Sequence, residues 1–151
     1  MRTFVTVEDL VAAEGEHLGT SDWMVIDAER VREFAHCTGD QHWLHTDPER
    51  ASQSRFGQLI AHGFLTMSLL ADFSTLLFHL EGAELVVNYG LDRVRFPAPV
   101  PVGSRVRASA VLQRAEKVTQ GARVTIRYVF ECDTATRPVC IAEHVSLRLS
   151  S

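Results

Sequence analysis

From Gly63 to Leu80 the chain is apolar almost all round: Phe64, Leu65, Met67, Leu69, Leu70, Phe73, Leu76, Leu77 and Leu80 leave no continuous polar face. A helix of that composition is covered on most sides rather than lying on a surface, so the rest of the chain has to supply the cover. The second half does so by changing period. Val106, Ala108, Ala110 and Leu112 alternate with polar residues, and Val124, Ile126, Tyr128 and Phe130 repeat the alternation after a Gln120-Gly121 turn. Both read as half-buried strands. Val139 to Leu149 provides a further strand, while Leu85-Val86-Val87 and Val94-Arg95-Phe96 flank Tyr89-Gly90 as one strand or two short ones. A buried helix, expected to end near Gly82, followed by antiparallel strands predicts an α+β fold in which the sheet wraps that helix.

The first half is built differently. Thr6 to Ala13 reads as a short helix, and Trp23 to Ile26 as a short strand. Asp27 is placed to cap the helix that carries Val31, Phe34 and Ala35, which Gly39 then terminates. Pro48 begins a helical turn running to Ser54. Pro97, Pro99 and Pro101 demand an extended or turning segment, because proline cannot donate to a sheet ladder. Repeats, low-complexity stretches and Pro/Gly/Ser-rich linkers are missing, so residues 1–151 read as one domain.

Composition narrows the function. A net charge of −4 argues against a nucleic-acid binder, which needs a clustered Lys/Arg surplus. Glu8 and Asp9 interrupt the N-terminal segment, which therefore does not read as a signal peptide, and no apolar run reaches the roughly 20 residues of a membrane span. Cys37, Cys132 and Cys140 lack the spacing of a disulfide framework or a zinc site and read as small packing residues. A cytoplasmic location is the expectation, with no membrane partner.

Between Gly39 and Gly63 the pattern turns irregular and rich in histidine. Asp40 and His45, five positions apart, give a carboxylate and an imidazole that a loop or broken turn can aim at one water. Histidine titrates near neutrality and can pass a proton in either direction. Gly63 opens the buried helix, where a backbone N–H at the positive terminus faces any oxygen placed there. Taken singly, Asp40 is equally suited to capping the turn after Gly39, and His45 to a structural hydrogen bond. His42 and His45 share ligand-like spacing without a partner motif, so no metal is expected.

Asp40-Gln41-His42-Trp43-Leu44-His45, followed by Ile60-Ala61-His62-Gly63-Phe64-Leu65-Thr66, resembles the hydratase signature of MaoC-like dehydratases, the family of the (R)-specific enoyl-CoA hydratases. The stretch Asn88 to Gly103 also resembles the family's short members. The resemblance implies a hotdog fold, an antiparallel sheet wrapped around a long central helix, in a homodimer with a continuous sheet. It implies acyl-CoA substrates, with CoA part of the substrate and no separate cofactor. The activity implied is that of a hydro-lyase adding water to a trans-2-enoyl-CoA to give the (R)-3-hydroxyacyl-CoA, or the reverse.

Carried over to this chain, Asp40 and His45 hold the catalytic water and the Gly63 N–H meets the thioester carbonyl. His62 fixes the loop before the helix or contacts substrate, Trp43 forms packing or pocket wall, and Arg93 and Arg95 are candidates for the CoA phosphates. The chain departs from the family's pattern at His42 and Trp43, which stand where Asn-Pro is common, and at Ala71, where some members have serine. Two alternatives remain open on the residues: a hotdog acyl-CoA thioesterase, and a non-catalytic acyl-thioester-binding protein.

Overall fold

In the computed structural model, which describes residues 1–150, two short strands and six helices surround a long antiparallel sheet. The elements are β1 (Arg2–Phe4), α1 (Val7–Ala12), β2 (His17–Thr20), β3 (Met24–Val25), α2 (Ala28–Thr38), α3 (Trp43–Thr46), α4 (Pro48–Ser52), α5 (Gly63–Ser68) and α6 (Leu70–Leu77). They continue with β4 (Phe78–Leu80), β5 (Leu85–Arg95), β6 (Arg105–Val118), β7 (Gly121–Cys132) and β8 (Cys140–Leu149). The main sheet runs β2-β6-β7-β8-β5, with β3 pairing beside β2 on β6; every pairing in it is antiparallel. Among the described residues, no helix is long and apolar enough to cross a membrane.

The period-two residues face the helices as expected. Val106, Ala108, Ala110 and Leu112 are buried, as are Val124, Ile126, Tyr128 and Phe130 on the neighbouring strand. A bulge between Leu112 and Arg114 shifts the parity of β6, so Ala115 is the next residue to turn inward. From the other layer Leu65, Leu69, Leu70, Phe73 and Leu77 pack down, and the Phe73 ring lies 5.6 Å from that of Phe130. The result is the hotdog arrangement. On β8 the inward face changes character, carrying His144, Ser146 and Arg148, and the Arg148 guanidinium lies 4.2 Å from the Phe78 ring centre.

Two features differ from expectation. The apolar run is not one helix to Gly82: α5 and α6 meet at Leu69, and Phe78-His79-Leu80 leaves the helix to form β4. The cause is β1, a strand the sequence pattern did not disclose, which pairs in parallel with β4 from Arg2 opposite Phe78 to Phe4 opposite Leu80. In the strand both Phe78 and Leu80 are buried, so the pairing with β1 keeps the apolar residues covered. Cys37 is exposed, whereas Cys132 and Cys140 are buried as expected.

Candidate active site

Asp27 accepts a hydrogen bond from the Arg30 N–H at 2.8 Å, starting α2, and Gly39 ends it with φ +76°. That left-handed turn, which glycine adopts without steric cost, throws Asp40 out of the helix. His42 then caps α3 through its ring, accepting from the Leu44 N–H at 3.3 Å. The single turn of α3 brings His45 back toward the segment before α5. There the His45 Nδ1–H donates to the Ile60 carbonyl at 2.6 Å. A carbonyl only accepts, so Nδ1 carries the proton and Nε2 keeps its lone pair.

His62 lies on the other side of His45, buried, with ring centres 3.7 Å apart and 30° between planes. Its Nε2–H donates to the backbone carbonyl of Asp40 at 3.0 Å. It therefore ties the loop bearing the carboxylate to the residue preceding Gly63. An Asp40 carboxylate oxygen and one ring nitrogen from each of His45 and His62 fall within 4.8 Å of one another.

Gly63 is the first residue of α5, and His62 gives no side-chain cap, so the Gly63 N–H has no acceptor within the helix. A Cβ at this position would lie 3.2 Å from the Phe96 ring, so glycine lets that ring close against the helix start. His45, Gly63 and Thr66 line a cleft of about 350 Å³ whose opposite wall is the proline-containing segment from Phe96 to Val100. This wall is stapled in place, the Ala61 N–H donating to the Val100 carbonyl at 2.8 Å and the Val102 N–H to Leu59 at 3.0 Å.

The expected residues divide accordingly. Asp40, His45 and His62 come together, and His45 shares the cleft lining with Gly63, while Asp40 and His62 stand behind that lining rather than in it. Trp43 does not line the cleft; it packs with the Arg50 guanidinium 4.5 Å from its ring. Arg93 and Arg95 are exposed on β5, also outside the cleft lining. Two lining residues, Arg55 and Phe56, went unremarked in the sequence because nothing periodic marks them, and Phe96 was read only as part of a strand. Ala71 and Ser68 border a second cavity of about 380 Å³ between the helices and β5, with Asn88 and His144.

Burial holds the His45 imidazole below its ordinary 6.5, only partly offset by its bond to Ile60, and burial acts the same way on His144. Both are therefore neutral at neutral pH. In the unfolded chain they take up protons near 6.5, in the folded chain only at lower pH. Their stabilising effect is complete above 6.5 and is lost as pH falls through the folded values. The thermal midpoint should accordingly drop between about pH 7 and about pH 5, and less so in His144→Gln. An equal drop in that variant would remove His144 from the account.

Residues 9–132 match the family described as MaoC like domain. The chain belongs to that family. Among MaoC-like relatives, the 3-hydroxyacyl-thioester dehydratase Z of Mycobacterium tuberculosis is 48% identical over 96% of this chain and 97% of its own length. Nodulation protein N of Rhizobium leguminosarum is 38% identical over 95% of this chain and 91% of its own. The (R)-hydratase PhaJ1 of Pseudomonas aeruginosa shares the MaoC-like hotdog fold, with a TM-score of 0.76 at 21% identity, covering 97% of this chain and 87% of that one.

Proposed function

We propose that this protein is an (R)-specific enoyl-CoA hydratase, adding water to a trans-2-enoyl-CoA to give the (R)-3-hydroxyacyl-CoA or catalysing the reverse dehydration. The observation that carries the proposal is the meeting of the Asp40 carboxylate with a His45 ring nitrogen, within 4.8 Å, beside the uncapped N–H of Gly63. That separation admits one water hydrogen-bonded to both groups. As its oxygen adds to the β carbon, one of the pair removes a proton from the water and a proton is delivered to the α carbon. The Gly63 N–H donates to the thioester carbonyl, whose oxygen gains enolate charge during the step. Hydro-lyase chemistry on 3-hydroxyacyl thioesters is supported by MaoC-like membership and by the name of the 48% identical relative.

Incubation with crotonyl-CoA should remove the conjugated enoyl absorbance and yield a product that only an (R)-specific dehydrogenase oxidises. Release of free CoA thiol would replace this reading with a thioesterase. Binding without turnover across short, long and branched enoyl-CoAs would replace it with an acyl-thioester-binding role. The free state of Cys37, Cys132 and Cys140 suits the reducing cytoplasm proposed for this protein.

The working unit proposed is a homodimer. Strand β5 is an edge of the sheet, yet Leu85, Val86, Val87 and Tyr89 are 51%, 47%, 43% and 64% exposed. A long apolar edge of this kind pairs with another chain or aggregates; β5 of a second copy would continue the sheet. Sedimentation at micromolar concentration should give twice the chain mass, and Val87→Lys should shift it toward one. A single-chain mass for the unaltered protein would refute the assembly.

A further inference from the structure

The cleft beside His45 holds one permanent charge. Among the described residues that line it, Arg55 is a cation, His45 is the other ionisable group, and the remainder are apolar or uncharged, from Phe56 and Thr66 to the wall at Phe96. Five of the chain's other arginines, Arg2, Arg105, Arg107, Arg114 and Arg123, form ion pairs with acids. Among the described residues no carboxylate lies within ion-pairing distance of Arg55, whose side chain is exposed. Other arginines, Arg93 and Arg95 among them, are also without an ion pair to the described residues, but Arg55 is the arginine that stands on this otherwise uncharged cleft.

The backbone around Arg55 is also held. The Ser54 hydroxyl donates to the Ala51 carbonyl at 2.6 Å and accepts from the Phe56 N–H at 3.1 Å, while Gly57 turns the chain at φ +69°. The guanidinium lies 5.1 Å from the Phe56 ring centre, where a cation is attracted to the ring face. Backbone and ring together restrict where this long side chain can reach.

We propose that Arg55 binds a phosphate of the carrier arm that delivers the thioester. The inference rests on the hydratase reading, which places the thioester carbonyl at Gly63. An acyl thioester entering this cleft has an apolar reacting end and a carrier end bearing phosphate. The planar fork of a guanidinium matches two phosphate oxygens, a fit that a point charge does not reproduce. The shared ligand chemistry is a phosphate ester on a pantetheine arm, present both in CoA and in the prosthetic group of an acyl carrier protein. Arg55 takes the role that the sequence pattern had suggested for Arg93 and Arg95, which lie outside the cleft lining.

The test compares crotonyl thioesters of CoA, of acyl carrier protein and of pantetheine lacking phosphate, turned over by the unaltered protein, Arg55→Gln and Arg55→Lys. Losing a charge-assisted contact should raise KM for the CoA thioester about ten- to a hundredfold in Arg55→Gln, with kcat nearly unchanged. KM for the pantetheine thioester should stay the same, and Arg55→Lys should recover part of the loss. A matching rise with the carrier-protein thioester assigns the contact to the arm's own phosphate; a rise confined to CoA assigns it to a nucleotide phosphate. Either supports the proposal. An equal rise for all three thioesters, or no rise for any, would overturn it. If no thioester is hydrated at all, the parent reading fails instead. Calorimetric titration of both proteins with CoA then still decides Arg55, since equal affinities would exclude a phosphate contact.

Discussion

Asp40→Asn and His45→Ala should each lower kcat/KM for enoyl-thioester hydration by about 10²- to 10⁴-fold, the range removed with a positioned acid or base. Asparagine preserves the size of the Asp40 side chain and an oxygen acceptor, so it removes only charge and the capacity to accept a proton. The loop should survive, because its anchor is the bond from His62 to the Asp40 backbone carbonyl at 3.0 Å, which the substitution does not touch. His45→Ala is less clean: the Ile60 carbonyl loses its 2.6 Å donor, at a cost of about 1 kcal/mol. The thermal midpoint should show that modest loss while the rate shows a far larger one. Because both groups act on one water, the double variant should be little worse than either single one. Near-normal turnover in either single variant, with the fold intact, would dismantle the mechanism.

The largest expected effect on stability belongs to Gly121→Ala. Gly121 opens β7 at φ +147°, and a Cβ there would sit 1.9 Å from the Arg148 carbonyl oxygen and 2.9 Å from its carbon. Those are backbone atoms of β8 at a residue paired on both sides, Arg148 facing Ala122 on β7 and Val86 on β5, so they cannot swing aside as a flexible side chain would. One strand must move away from the other. The loss should exceed about 3 kcal/mol, beyond ordinary surface substitutions, lowering the midpoint by at least about 6 °C. Gly103→Ala is the comparison. Its φ of +91° carries conformational strain, but an added Cβ would meet nothing within 4 Å. That variant should lose about 1–2 kcal/mol. Equal losses would mean that torsional strain, not the close approach of β8, governs Gly121.

The contrast between these glycines shows where sequence reading reaches and where it stops. Gln120-Gly121 was legible as a turn from its residue types and the alternation that follows it. That its Cβ would strike β8 depends on a strand nearly thirty residues away. Local chemistry was equally informative at Asp27 and Gly39, whose capping roles depend only on neighbouring backbone. Strands β1 and β2 were hidden because Arg2–Phe4 and His17–Thr20 are too short to show a period, and their pairing partners are distant. Within the site, the residue types and spacing of Asp40, His45, His62 and Gly63 picked out a group that the fold brings together. Arg55 was invisible since its significance comes from the apolar company it keeps in the cleft, a property of tertiary packing.

The order of strands in the main sheet has a consequence for how the protein is made. Its centre, β6-β7-β8, is a meander contributed entirely by the C-terminal third, and β2, β3 and β5 all attach to it. A nascent chain emerging from the ribosome therefore displays the apolar segment from Gly63 to Leu80 well before the central strands β6, β7 and β8 exist to receive it. Domains are synthesised N-terminus first, and exposed apolar surface invites misassociation. Most of this chain must wait for its final strands, which makes the interval between translation of α5 and release of β8 the period when it depends most on chaperones.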